Sequence, residues 1–174
     1  MKRSIASLAL ACAAVLPAAA FAGNMSLTVQ GIPGSVEVLS FSFGATQAGS
    51  VSGGGGGAGK ATFGPFTFTA VESAASPSVL EHLAKGKHIP SARLGILDAE
   101  TGKPRSEWVF TDVLVSAMNL ENGAADPKAK NPNTFLAPTT ALGLVFAKFC
   151  YRVFAGDGSV AKETCWDIGA NAPA

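Results

Sequence analysis

Charge is scarce in this sequence, and the side chains that most often carry catalysis are scarcer still. Thirteen Lys and Arg stand against twelve Asp and Glu in 174 residues, with two histidines, three cysteines and one tyrosine. The near balance and the scatter of the basic residues leave no stripe for a nucleic-acid backbone or an anionic membrane surface. His82 and His88 are six apart, with a helix end expected between them, which is not the spacing of H-E-x-x-H. They read as surface or boundary residues. No G-x-S-x-G elbow surrounds a serine, no C-x-x-C pair is present, and the carboxylates are dispersed. No apolar run reaches the roughly 20 residues that cross a bilayer as a helix, so no stable membrane anchor is expected. These absences argue against an enzyme, and no catalytic, cofactor or metal site is expected.

What is present begins with a leader. Lys2 and Arg3 precede a charge-free apolar stretch from Ile5 to Leu16, and Ala20-Phe21-Ala22 then supplies the small-x-small pattern of signal peptidase. Residues 1–22 read as a signal peptide cleaved between Ala22 and Gly23. An N-terminal core helix is the alternative; a lipoprotein reading through Cys12 fits poorly, because Ala9 stands where a large aliphatic is wanted. Residues 23–174 then form one exported domain, periplasmic or secreted, large enough for a core of its own. Its basic residues fall from 13 to 11 with the loss of Lys2 and Arg3, against 12 acidic. Cys150 and Cys165 remain as an even pair in an oxidising compartment.

The mature chain reads as short strands. Leu27 and Val29, Leu39, Phe41 and Phe43, Phe66 and Phe68, and Leu94 and Ile96 each alternate with small, polar or less apolar neighbours. One segment is helical instead: Ser76 as cap, Pro77 at the first position, Val79, Leu80 and Leu83 at helical spacing, and Gly86 as the stop. From Trp108 to Met118 the apolar phase slips near Thr111-Asp112, which predicts a bulge or a bend. Two stretches look like loops. One, Gln47 to Lys60, holds the glycine run 53–57; the other, Asn119 to Pro138, carries three prolines. The expected class is mainly β, with two sheets in a barrel or sandwich and one short α-helix at the side.

The last two strands fix their own register. Gly156-Asp157-Gly158-Ser159 is a turn signal, and a turn centred there pairs residues whose numbers sum to 315. Cys150 then faces Cys165, Arg152 faces Glu163, and Lys148 faces Asp167. Phe149 with Trp166 and Tyr151 with Thr164 fall on the other face. Opposite charges and aromatic pairs are favoured cross-strand neighbours, so the register supports itself. Directly opposed cysteines are within disulfide reach; two free thiols are the alternative.

The glycine run tests as a phosphate loop through Gly54, Gly59 and Lys60, but Ala61 stands where Ser or Thr is needed and a strand follows in place of a helix. A flexible loop is the better reading.

Taken in order, several segments resemble the haemolysin-coregulated protein (Hcp) family of type VI secretion systems. They include Gly31-Ile32 with Gly34-Ser35, Val38 to Gly44, Gln47 with Gly49-Ser50, and Phe66 to Thr69. Ala75-Ser76-Pro77, Gly86 to Ile89, Asp112 to Ser116, Phe146-Ala147-Lys148 and Trp166-Asp167 complete the series. The resemblance implies a barrel-like β-sandwich, homohexameric rings stacked into a tube, spike and sheath proteins as partners, and effectors as cargo. It also implies that the loop from Gly44 through Gln47, Gly49 and Ser50 to Lys60 reaches the next ring. The leader, the glycine run and the Asn119–Pro138 segment depart from the family pattern. The other function kept open is an exported binding module that retains the fold without the tube.

Overall fold

The computed structural model describes residues 24–49, 58–122 and 137–174. The leader with Ala22 and Gly23, Ser50, the glycine run and most of the Asn119–Pro138 segment lie outside the described residues.

Ten strands and one helix follow in chain order. They are β1 (Met25–Val29), β2 (Ile32–Ser42), β3 (Ala45–Gly49), β4 (Ala58–Phe63), β5 (Phe66–Val71), α1 (Ser76–Lys85), β6 (Ile89–Leu97), β7 (Pro104–Glu121), β8 (Thr139–Phe154), β9 (Val160–Asp167) and β10 (Ala172–Pro173). The period-two signal places one side of β1, β5 and β6 inward: Leu27 and Val29, Phe66, Phe68 and Ala70, and Ala92 and Leu94 are all buried. In β2 the structure corrects the expected face of Leu39, Phe41 and Phe43: Val36 and Val38 are buried while Leu39 and Phe41 are exposed, with a register shift between Val38 and Ser40.

The main sheet runs β10-β9-β8-β5-β2-β1-β6-β7, and β7 pairs back onto β8. Six strands, β8-β5-β2-β1-β6-β7, therefore close into a barrel, which removes most of their edges. Closure depends on two long strands that divide their edges. β8 gives one whole edge to β7, and splits the other between β5 (residues 139–144) and β9 (residues 148–154). β2 pairs with β1 up to Glu37 and with β5 from Val38.

The phase slip predicted in β7 is a bend shared by two strands. Phe110 pairs with Phe149 and Val113 with Phe146, and all four are buried, so both strands change the parity of their inward face together. Asp112 absorbs the change at φ 54°, and the register on either side of it is unbroken. The bulge in β7 lies further on, between Val115 and Ala117. There a Cβ on Gly143 would sit 3.0 Å from Ser116 Oγ and 3.4 Å from the Ala117 Cβ, a tight fit opposite the bulge.

An aromatic cluster fills one end of the barrel. Phe66 packs on Phe110 (4.9 Å between ring centroids), Phe110 on Phe146 (4.6 Å), and Trp108 on Tyr151 (4.4 Å). These spacings fall in the favourable range for aromatic pairs.

The helix begins one residue earlier than its sequence suggests. Ala75 is the N-cap and makes no side-chain capping bond; Ser76 lies inside the helix, and its hydroxyl accepts from the Ser73 N–H at 3.1 Å. Val79 is buried and Leu83 half-buried, but Leu80, expected on the same face, is 45% exposed. The helix packs on β7, and its inner face is Ser76, Val79 and Leu83. Its stop is as expected: Gly86 is left-handed, and Lys87 N–H reaches the His82 carbonyl at 3.0 Å.

The stretch read as one flexible loop, Gln47 to Lys60, is in its described parts a two-stranded sheet. β3 and β4 pair antiparallel, Ala45 with Phe63 through Gly49 with Ala58. Gln47 Nε2 donates to the Gly59 carbonyl at 3.1 Å. Gly59 itself is required here, because a Cβ would run into the Ala48 carbonyl oxygen. Similarly, Asn119 to Glu121, expected in the second loop, still belong to β7.

Candidate functional site: the terminal hairpin, the arm and an open sheet

Three surfaces stand apart from the closed barrel. The first is the C-terminal hairpin. The 315 register holds at every expected pair, and Cys150 and Cys165 are joined by a disulfide with their Cα atoms 4.0 Å apart. That spacing belongs to a non-hydrogen-bonded antiparallel pair. Lys148 Nζ lies 2.7 Å from Asp167, and Arg152 Nε lies 2.6 Å from Glu163.

Arg152 also reaches Glu107 at 3.0 Å, and Arg93 reaches the other oxygen of Glu107 at 3.0 Å. The result is a row, Arg93–Glu107–Arg152–Glu163, across β6, β7, β8 and β9. Glu107 is its hinge, with its side chain only 12% exposed. Hydrogen bonds from Arg152 to Glu163 and then Glu107 raise the Arg152 pKa above its ordinary value. Sequence reading found the Arg152–Glu163 step because a turn fixes it. It missed Glu107 beside Arg152 because the long connection between β7 and β8 carries no register signal. It missed Arg93 beside Glu107 because the two are diagonal across β6 and β7, where Arg93 pairs with Val109 and Glu107 with Gly95.

Three hairpin turns, two at this end and the β9–β10 turn at the other, are each held by an aspartate. Asp98 accepts from the N–H groups of Thr101 (2.9 Å) and Glu100 (3.2 Å), Asp157 from the hydroxyl and N–H of Ser159 (2.6 and 2.9 Å), and Asp167 from the N–H of Ala170 (2.9 Å). All three carboxyls are held below their ordinary pKa: Asp98 by the Thr101 N–H foremost, Asp157 by the Ser159 hydroxyl, and Asp167 by the Ala170 N–H and then Lys148.

The second surface is the β3–β4 arm. Of the residues expected in an inter-ring loop, Gly44 lies just before β3, Gln47 and Gly49 lie in β3, and Lys60 lies in β4. The base of the arm is anchored: Phe63 packs against Phe149 at 5.4 Å and Trp166 at 6.4 Å.

The third surface was not legible in the sequence. Beyond the barrel's closed end, β7, β8, β5 and β2 continue as an antiparallel four-stranded sheet. Among the described residues nothing pairs with the outer edge of β7 from Leu114 to Glu121, or with the outer edge of β2 from Val38 to Ser42. A groove of about 370 Å³ crosses this sheet, lined by uncharged residues, small polar ones such as Ser40, Thr67 and Asn119 beside Phe41, Phe68 and Leu142. Leu39 (49% exposed) and Leu120 (58% exposed) lie on the two edge strands.

A closed six-stranded β-barrel with one lateral helix and a projecting two-stranded arm defines the class of molecule. The comparisons place it further. The family model "Type VI secretion system effector, Hcp" matches residues 21–152, and the chain belongs to the Hcp family. Its fold is similar to Hcp1 from Salmonella typhimurium, with 24% identity and a TM-score of 0.68 over 86% of this chain and 97% of that one. It is also similar to a structure described as a type six secretion system protein, at 18% identity and TM-score 0.70 over 88% and 100% of the two chains. A third likeness is to a type VI secretion system effector from Yersinia pestis, at 20% identity and TM-score 0.62 over 82% and 98%. No curated protein matches. Membership makes the chain a structural or secreted protein of the type VI secretion system, not an enzyme.

Proposed function

We propose that the mature chain self-associates head to tail into a hexameric ring, and that rings stack through the β3–β4 arm into a tube. The supporting observation is the pair of free edges on one four-stranded sheet. Three antiparallel steps separate β7 from β2, so the two end strands run in opposite directions. If copies are related by rotation about an axis along the strands, the β7 edge of one meets the β2 edge of the next in antiparallel order. Such a contact is heterologous and closes when the rotation closes. It also satisfies backbone groups that would otherwise invite uncontrolled pairing. The uncharged groove face would then line the ring, open to effector cargo, with spike and sheath proteins as the outer partners.

The leader pattern of residues 1–22 and the disulfide both support assembly outside the cytoplasm, in the periplasm or the medium. The same two features favour the second reading, an exported module that keeps the barrel and binds a partner as a monomer. The two readings separate by mass. Sedimentation of residues 23–174 is expected to give a hexamer, and Leu39→Lys with Leu120→Lys, which sets like charges across the joint, is expected to give monomers that still melt cooperatively. A monomeric parent protein, or a ring untouched by both lysines, would sink the edge-to-edge reading.

A further inference from the structure

We propose that the reduced Cys150–Cys165 pair, together with Glu163, forms a site for a thiophilic divalent cation such as Zn²⁺, so that the hairpin has two mutually exclusive locks, a disulfide or a metal. The two sulfurs and a Glu163 carboxylate oxygen all lie within 4.8 Å of one another. The strand pleat is the reason. Cys165 and Glu163 are two apart on β9 and share a face, and Cys150 stands directly opposite Cys165 on β8.

The surroundings suit a cation held by thiolates. Glu163 Oε1 accepts from Arg152 Nε at 2.6 Å and lies 3.6 Å from Cys165 Sγ. A guanidinium behind a ligating carboxylate fixes its direction, as outer partners of metal ligands commonly do. The row Arg93–Glu107–Arg152–Glu163 carries two positive and two negative charges, which cancel. Two thiolates then leave the site with the charge that one divalent ion neutralises. Both cysteines are half-buried, so water can take a fourth position; three protein ligands plus water is a common open zinc arrangement. Two sulfurs on one tetrahedral zinc stand about 3.8 Å apart, given Zn–S bonds of about 2.3 Å. Directly opposed Cα atoms 4.0 Å apart allow this by side-chain rotation.

The conversion balances. A dithiol reductant gives the Cys150–Cys165 disulfide two electrons and two protons and is itself oxidised to a disulfide. The metal then displaces the two thiol protons, which leave to solvent. Reoxidation by a small-molecule disulfide, which takes two electrons from the thiolates and two protons from solvent to become two thiols, re-forms the Cys150–Cys165 bond, releases the metal and removes the site.

The test uses the whole mature chain under anaerobic conditions, reduced in one arm and oxidised in the other, titrated with Zn²⁺ against a chromophoric chelator and with Co²⁺ for its thiolate charge-transfer band. One equivalent is expected to bind the reduced protein and none the oxidised. Cys165→Ser is expected to abolish the band, and Glu163→Gln to keep the band while weakening Zn²⁺ on the order of tenfold. Melting curves without metal confirm that each variant is folded. Equal uptake by the oxidised protein, no uptake by the reduced one, or unchanged affinity in Glu163→Gln would each overturn the site.

Discussion

Phe63, at the foot of the β3–β4 arm, packs on Trp166, the residue that follows the bridged Cys165, with ring centroids 6.4 Å apart. The disulfide therefore lies one residue from the contact that seats the arm. Reduction in the presence of a chelator is expected to lower stability by about 3 kcal/mol, because the bridge closes a loop of 15 residues. For a domain of this size that is a fall in melting temperature of roughly 6–12 °C. Identical melting curves with and without reductant would rule it out.

Trp166→Ala removes one wall of the arm's seat and leaves the barrel strands intact. The arm is expected to become a faster target for limited proteolysis, with first cuts between residues 45 and 63, while the melting transition stays cooperative. A cleavage pattern equal to that of the parent would show that Phe149 and Phe43 hold Phe63 without Trp166.

Glu107 joins two guanidiniums, so Glu107→Gln leaves Arg93 and Arg152 facing each other without it. Both arginines are partly exposed, and solvent screening keeps the expected loss to about 1 kcal/mol. The loss should shrink as salt is raised, since screening weakens exposed pairs. A denaturant midpoint that does not move at low salt would contradict the row as a working network.

The three turn aspartates set the response to acid. Their folded pKa values lie below the ordinary carboxylate value, so each contributes stability above the unfolded pKa near about 3.9. That contribution is lost as pH falls through the folded values. The melting temperature is expected to hold from pH 7 to about 5 and to fall below about 4. Replacing Asp98, Asp157 and Asp167 by Asn together should flatten that fall. A triple variant as acid-sensitive as the parent would refute the assignment.

Much of the fold was legible because its signals are local. Period-two patterns marked β1, β2, β5 and β6, and Gly86 marked the end of the helix. The 156–159 turn fixed the register of β8 against β9 to the residue, which delivered the disulfide and two ion pairs. The misreadings were local as well. Ser76 looked like a cap, but its hydroxyl bonds backwards to Ser73. The ends of the glycine-rich segment looked like loop, but their pairing with each other makes a sheet that single-strand patterns do not reveal.

The sequence by itself determined the alternation that buries one side of β1, β5 and β6, the terminal hairpin with its bridge, and the Hcp family pattern. Only the tertiary structure decided the closure of β7 on β8, the charged row through Glu107, and the two free edges of the open sheet. The physical reason is distance along the chain. A turn of four residues dictates which residues face each other. Pairing across long connections is set instead by where buried Phe110, Val113, Phe146 and Phe149 can all be satisfied at once.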